Sequence, residues 1–109
     1  GIKVDKASNG VLQDVHWSGG SFGYFPTYAL GSAYAAQIYH SMIEDINLKA
    51  SLESGTTEEI NLWLKEKIHK YGASKSPNDI LLLATGKKFN PNYYVKYLIK
   101  KYSKIYDIK

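Results

Sequence analysis

The segment from Pro26 to Asp45 constrains this chain more than any other. Its spacing predicts one long helix. Pro26 suits the first turn, where its missing N–H costs nothing. Tyr28, Leu30, Tyr34, Ile38, Tyr39, Met42 and Ile43 place bulk around most of the circumference. Ala29, Gly31, Ser32, Ala33, Ala35 and Ala36 between them let neighbours approach closely. A helix apolar on so many sides has to be buried on several of them. A chain of 109 residues has only a modest core of its own, so the other segments fall short of covering it.

The remaining segments are also helical in pattern. A short helix is expected from about Asn47 to Ser54, stopped by Gly55. Thr56 and Glu59 have the capping-box spacing and predict the start of the next helix. Ile60, Trp63, Leu64, Ile68 and Tyr71 form its apolar stripe, and Gly72 ends it. Ser76, with Pro77 and Asp79 behind it, predicts a second cap for a helix running to Thr85 and ending at Gly86. Asn90-Pro91 opens the last helix. Tyr94, Leu98, Ile105 and Tyr106 define its buried side, with Tyr97 and Tyr102 flanking and Lys96, Lys100 and Lys104 opposite. Residues 1–25 read as an irregular arm, with a short element around Val11 to Val15 and turn signals at Asn9-Gly10, Gly19-Gly20 and Gly23. The expected fold is therefore all-α: an irregular arm (1–25) followed by four to five helices (26–109).

The net charge is +4 and all 14 basic residues are lysines. Seven of them fall between Lys87 and Lys109, opposed only by Asp107. That opens one alternative function, a basic helical module that docks on nucleic acid or an acidic protein. The absence of arginine, the usual fork for phosphate and guanine, argues against nucleic acid. Even lysine spacing on one helix face favours simple solvation. With no cysteine, thiolate metal sites, disulfides and cysteine nucleophiles are excluded. No apolar run approaches the ~20 residues needed to span a bilayer, and no signal peptide is visible. The expectation is a cytoplasmic protein without a membrane partner.

Few residues are placed to do chemistry. The histidines are His16, His40 and His69, and none belongs to a histidine–glutamate–x–x–histidine pattern, so no metal ligands are assigned in this chain. Ser18 and Ser21 do not sit on a strand-to-helix elbow. Asp14, His16 and Tyr24 cluster around a glycine-rich turn. A carboxylate beside an imidazole fixes its tautomer, and a histidine and a tyrosine can then both hydrogen-bond one developing oxyanion. The competing reading is a structural loop, with Trp17, Phe22 and Phe25 packed inward and His16 satisfied by a backbone carbonyl.

The stretch Gly10-Val-Leu-Gln-Asp-Val-His-Trp17 resembles a signature of the thermostable (Taq-type) metallocarboxypeptidases, peptidase family M32. Gly23-Tyr-Phe-Pro-Thr-Tyr28, with Ala29-Leu-Gly31 and Ala35-Ala36-Gln37, resembles a second, in the family's order and spacing. Weaker similarity continues through Trp63-Leu64, Ile68-His69, Ala84-Thr85-Gly86 and Tyr97-Leu98 to Lys101-Tyr102. The resemblance implies a C-terminal piece of a longer helical enzyme, which would also account for Gly1 in place of methionine. It implies that the parent releases C-terminal amino acids from peptides, uses zinc or cobalt held by residues absent here, and forms a homodimer. His16 and Tyr24 would then steady the oxyanion and Asp14 would orient His16. Tyr28 and Gln13 would be substrate-binding candidates, with Tyr28 equally able to serve as packing. Alone, the chain is expected to be inactive.

Overall fold

The computed structural model describes residues 1–108. It is all-α, and no strand occurs among the described residues. The helices are α1 (Val15–Ser18), α2 (Pro26–Asp45), α3 (Leu48–Glu53), α4 (Glu58–Lys67), α5 (Pro77–Thr85) and α6 (Asn92–Tyr106). Two compact units are distinguished, Gly1–Leu30 and the chain from Gly31 onward.

In the first unit the arm is less irregular than expected. Short 3-10 turns form at Ala7–Asn9 and Val11–Gln13 ahead of α1. Side chains close these turns: Asn9 donates to Asp5 (3.0 Å), and the Gln13 amide donates to the Ser8 carbonyl (2.6 Å). Asp14 caps α1, its carboxylate accepting from the backbone N–H groups of His16 and Trp17.

The helix α2, whose residues from Gly31 onward belong to the second unit, keeps the boundaries its sequence suggests. The buried apolar side chains of the described residues are few: Ala33, Met42, Trp63, Leu81 and Ala84. Gln37 is buried among them and ties α2 to the turn after α5. Its amide nitrogen donates to the carbonyls of Lys87 (3.4 Å) and Lys88 (3.1 Å), and its oxygen accepts from the Asn90 N–H (2.9 Å). Tyr34 stacks on Phe89 at 4.8 Å and donates to Asn78. Trp63 of α4 donates from Nε1 to the Asp45 carboxylate at 2.7 Å.

Two sequence expectations fail here. Thr56 and Glu59 form no capping box. The cap of α4 is Thr57, without a side-chain bond, because Glu59 instead accepts from Ser51 Oγ (3.0 Å) and Thr56 Oγ1 pairs with Ser54 Oγ (3.0 Å). Local spacing lost to a tertiary partner. On α6, Tyr94 and Leu98 are half-buried as expected, but Ile105 and Tyr106 are exposed. The Ser76 cap does form, and Gly86 ends α5 in the left-handed conformation (φ +69°).

The Asp45 carboxyl sits below its usual range. The Trp63 hydrogen bond is the main cause; partial desolvation opposes it and the Lys67 charge at 3.5 Å assists. A carboxyl lowered on folding stabilises the fold above its unfolded pKa of ~3.9, and that contribution vanishes as pH falls through the lower folded value. Asp45→Asn is therefore expected to flatten the acid side of a Tm-against-pH curve while leaving its shape above neutrality unchanged. Equal acid slopes in the two proteins would exclude this assignment.

Candidate functional site

The site lies within the first unit, on α1, the following turn and the first turn of α2. Sequence proximity brings Asp14 and His16 together. Asp14 at the helix cap has backbone φ −106°, ψ 119°, and its Oδ1 accepts from His16 Nδ1 at 2.8 Å. Partial desolvation alone would raise the Asp14 carboxyl. Hydrogen bonds from the His16 ring and from the Trp17 and His16 N–H groups outweigh it, and the net effect holds the carboxyl below its usual range. Asp14 is thus an ionised acceptor near neutral pH, and His16 Nδ1 carries a proton toward it.

The chain then reverses over Gly19–Phe25. Gly20 and Gly23 adopt φ of +77° and +76°, which a residue with a Cβ adopts only under strain. Ser21 N–H closes the turn on the His16 carbonyl at 2.7 Å. The reversal returns three aromatic rings to the imidazole. Tyr24 stacks on it (centroids 5.4 Å, planes 17° apart), Phe25 tilts against it at 5.1 Å, and Tyr28 meets it edge-on at 5.9 Å. The Tyr28 hydroxyl lies 3.0 Å from His16 Nε2.

His16, Tyr24, Asp14 and Tyr28 are therefore one constellation. Gln13 stands apart from it in its bonding, since its amide is tied to Ser8. The alternative of a purely structural loop does not describe the packing. Trp17, Phe22 and Phe25 are all exposed, and His16 is satisfied by Asp14 and Tyr28 rather than by a carbonyl. The direct Tyr28–His16 bond was invisible to sequence reasoning: the residues are twelve apart, and only the shape of the turn joins them. His40 and His69 lie elsewhere, both exposed, with His40 near Glu44 (3.5 Å) and edge-on to Tyr93.

The constellation offers one ionised carboxylate, one imidazole and two phenols. It can donate hydrogen bonds to a ligand oxygen. Among the described residues no group of three or more histidine, cysteine, aspartate or glutamate side chains is placed to hold a metal ion. Nor is any described helix long and apolar enough to cross a membrane.

Comparison with known proteins adds an independent line. Residues 1–102 match the family described as carboxypeptidase Taq (M32) metallopeptidase. Carboxypeptidase 1 of Bacillus subtilis is 50% identical over 97% of this chain, and thermostable carboxypeptidase 1 of Pyrococcus furiosus is 39% identical over 94% of it. The BsuCP crystal structure superimposes with a TM-score of 0.83 at 49% identity, over 94% of this chain and 21% of that one. The chain spans about a fifth (21%) of the length of the curated relatives it matches.

Proposed function

Since this chain belongs to the carboxypeptidase Taq (M32) metallopeptidase family, we propose that it is the part of a metal-dependent carboxypeptidase that faces the scissile carbonyl of a peptide's last residue. Peptide hydrolysis places negative charge on that carbonyl oxygen, and fixed hydrogen-bond donors aimed at the oxygen lower the barrier. His16 and Tyr24 are the assigned oxyanion-facing pair. Asp14 holds the imidazole by its Nδ1–H. Tyr28 closes the other side of the ring, and Phe25 limits access of water to one face. Gly20 and Gly23 permit the turn that makes this arrangement reachable. The observation that carries the reading is the 2.8 Å Asp14–His16 pair enclosed by Tyr24, Phe25 and Tyr28.

The metal is assigned to residues other than those of this chain, as zinc or cobalt, and no step of this chain's chemistry runs through it. The intact enzyme is read as a cytoplasmic homodimer acting on free peptide C-termini. The lysines of α6 are read as a solvated face, consistent with the exposure of Lys96, Lys100 and Lys104. The direct test uses the 109-residue chain itself. It is expected to release no amino acid from a peptide, with or without added zinc or cobalt, under conditions where an intact M32 enzyme does. Metal-dependent hydrolysis by this chain alone would overturn the division of labour.

A further inference from the structure

Asn9-Gly10 is a turn signal in the sequence, and its chemistry goes further. An asparagine amide followed by glycine is open to attack by the next backbone nitrogen, because glycine sets no side chain beside that nitrogen. In that reaction the Gly10 nitrogen bonds to Asn9 Cγ. The Cγ–Nδ2 bond breaks, and the amide nitrogen leaves as ammonia with the Gly10 proton. Water then opens the cyclic imide at either carbonyl and leaves aspartate or isoaspartate. The reaction needs the nitrogen and Cγ to meet in a near-attack geometry.

In the structure both reacting groups are engaged elsewhere. The Gly10 N–H donates to the Ala7 carbonyl at 3.1 Å and closes the turn Ala7–Asn9. Asn9 Nδ2 donates to Asp5 Oδ1 at 3.0 Å. That bond is the main reason the Asp5 carboxyl lies below its usual range, so the acceptor is ionised near neutral pH. Asn9 is itself exposed, so burial does not shield it from water. Nor does position 10 readily take a larger residue: a Cβ on Gly10 would lie 2.8 Å from Val4 Cγ1.

We propose that Asn9-Gly10 is a latent deamidation site held shut by Asp5 and the Ala7 carbonyl, with Asp5 as the latch. The inference is independent of the carboxypeptidase reading and uses only residues of the first unit. Once the amide is lost, the latch does not close again. An aspartate at position 9 has no Nδ2–H to give to Asp5 and sets a second carboxylate against it. An isoaspartate also adds a methylene to the backbone immediately before Val11–Gln13, the turn that leads to the Asp14 cap of α1.

The test ages the intact protein at neutral pH and maps its peptides by mass spectrometry, with isoaspartate counted by enzymatic methyl transfer. The wild type is expected to keep the Asn9 amide long after the same protein in urea has lost it. Asp5→Ala should deamidate at position 9 about tenfold faster than the wild type, the rate factor of losing one hydrogen bond to a charged group. Asp5→Asn retains a side-chain oxygen that can accept from Asn9 and should stay close to the wild-type rate. Asp5 is exposed, so both variants should keep their helicity, which circular dichroism checks. A folded wild type that deamidates as fast as the protein in urea would overturn the proposal. So would Asp5→Ala ageing at the wild-type rate, or Asp5→Asn ageing as fast as Asp5→Ala. Loss of helicity in Asp5→Ala would overturn it too, since Asp5 would then hold the fold rather than the amide.

Discussion

His16→Ala in the intact protein is expected, on the oxyanion role proposed above, to lower kcat by ~100- to 1000-fold while leaving metal content unchanged. Removing a preorganised donor from an oxyanion site costs that much because no water replaces it with the same geometry. The imidazole here is held on three sides: by Asp14 at 2.8 Å, by Tyr28 at 3.0 Å and by the stacked ring of Tyr24. Alanine deletes the acceptor and donor at once and leaves the Asp14 carboxylate without its side-chain partner. Steady-state release of a C-terminal residue, measured beside metal analysis of the purified protein, separates the two readings. A variant with normal metal and normal turnover would strip His16 of its role. A variant that loses metal would point to a ligand rather than a donor.

The largest stability effect is expected at Gln37. Its side chain is 1% exposed and serves three backbone groups of the turn after α5, from Lys87 to Asn90. Gln37→Leu preserves much of the volume but leaves the Asn90 N–H and the Lys88 carbonyl without their partner. Each such orphan costs ~1–3 kcal/mol, so a total near 3 kcal/mol is expected. For a domain of this size that lowers Tm by roughly 10–20 °C. Thermal unfolding followed by circular dichroism checks it. A loss below ~1 kcal/mol would mean that water satisfies these groups once leucine replaces the amide.

Much of the architecture could be read from local patterns. The Pro26 start and Asp45 end of α2, the Ser76 cap and the Gly86 stop depend on neighbours within a few residues, and each forms as expected. The misses share a different cause. Glu59 abandons its capping position for Ser51, eight residues away and on another helix. Gln37 drew notice only as part of a family-like motif, because nothing in its flanks announces bonds to residues some fifty positions later. Ile105 and Tyr106 follow the apolar stripe of α6 yet lie open, since periodicity says which face is apolar and not whether anything covers it. At the site, the Asp14–His16 pair followed from spacing, and the Tyr24 and Tyr28 contacts required the turn. The unusual apolarity of α2 was legible too: Leu30, Tyr39 and Ile43 remain exposed, in a chain matching 21% of its relatives' length.

The two tryptophans sit in contrasting settings, one in each unit. Trp17 is 47% exposed beside Phe22, whereas Trp63 is 7% exposed with its indole N–H on Asp45. Light absorbed at one is emitted from an aqueous surround and at the other from a shielded one. An aqueous quencher such as iodide consequently dims the Trp17 turn first, so a single fluorescence spectrum can follow that turn and the helical unit as separate signals, without any attached dye.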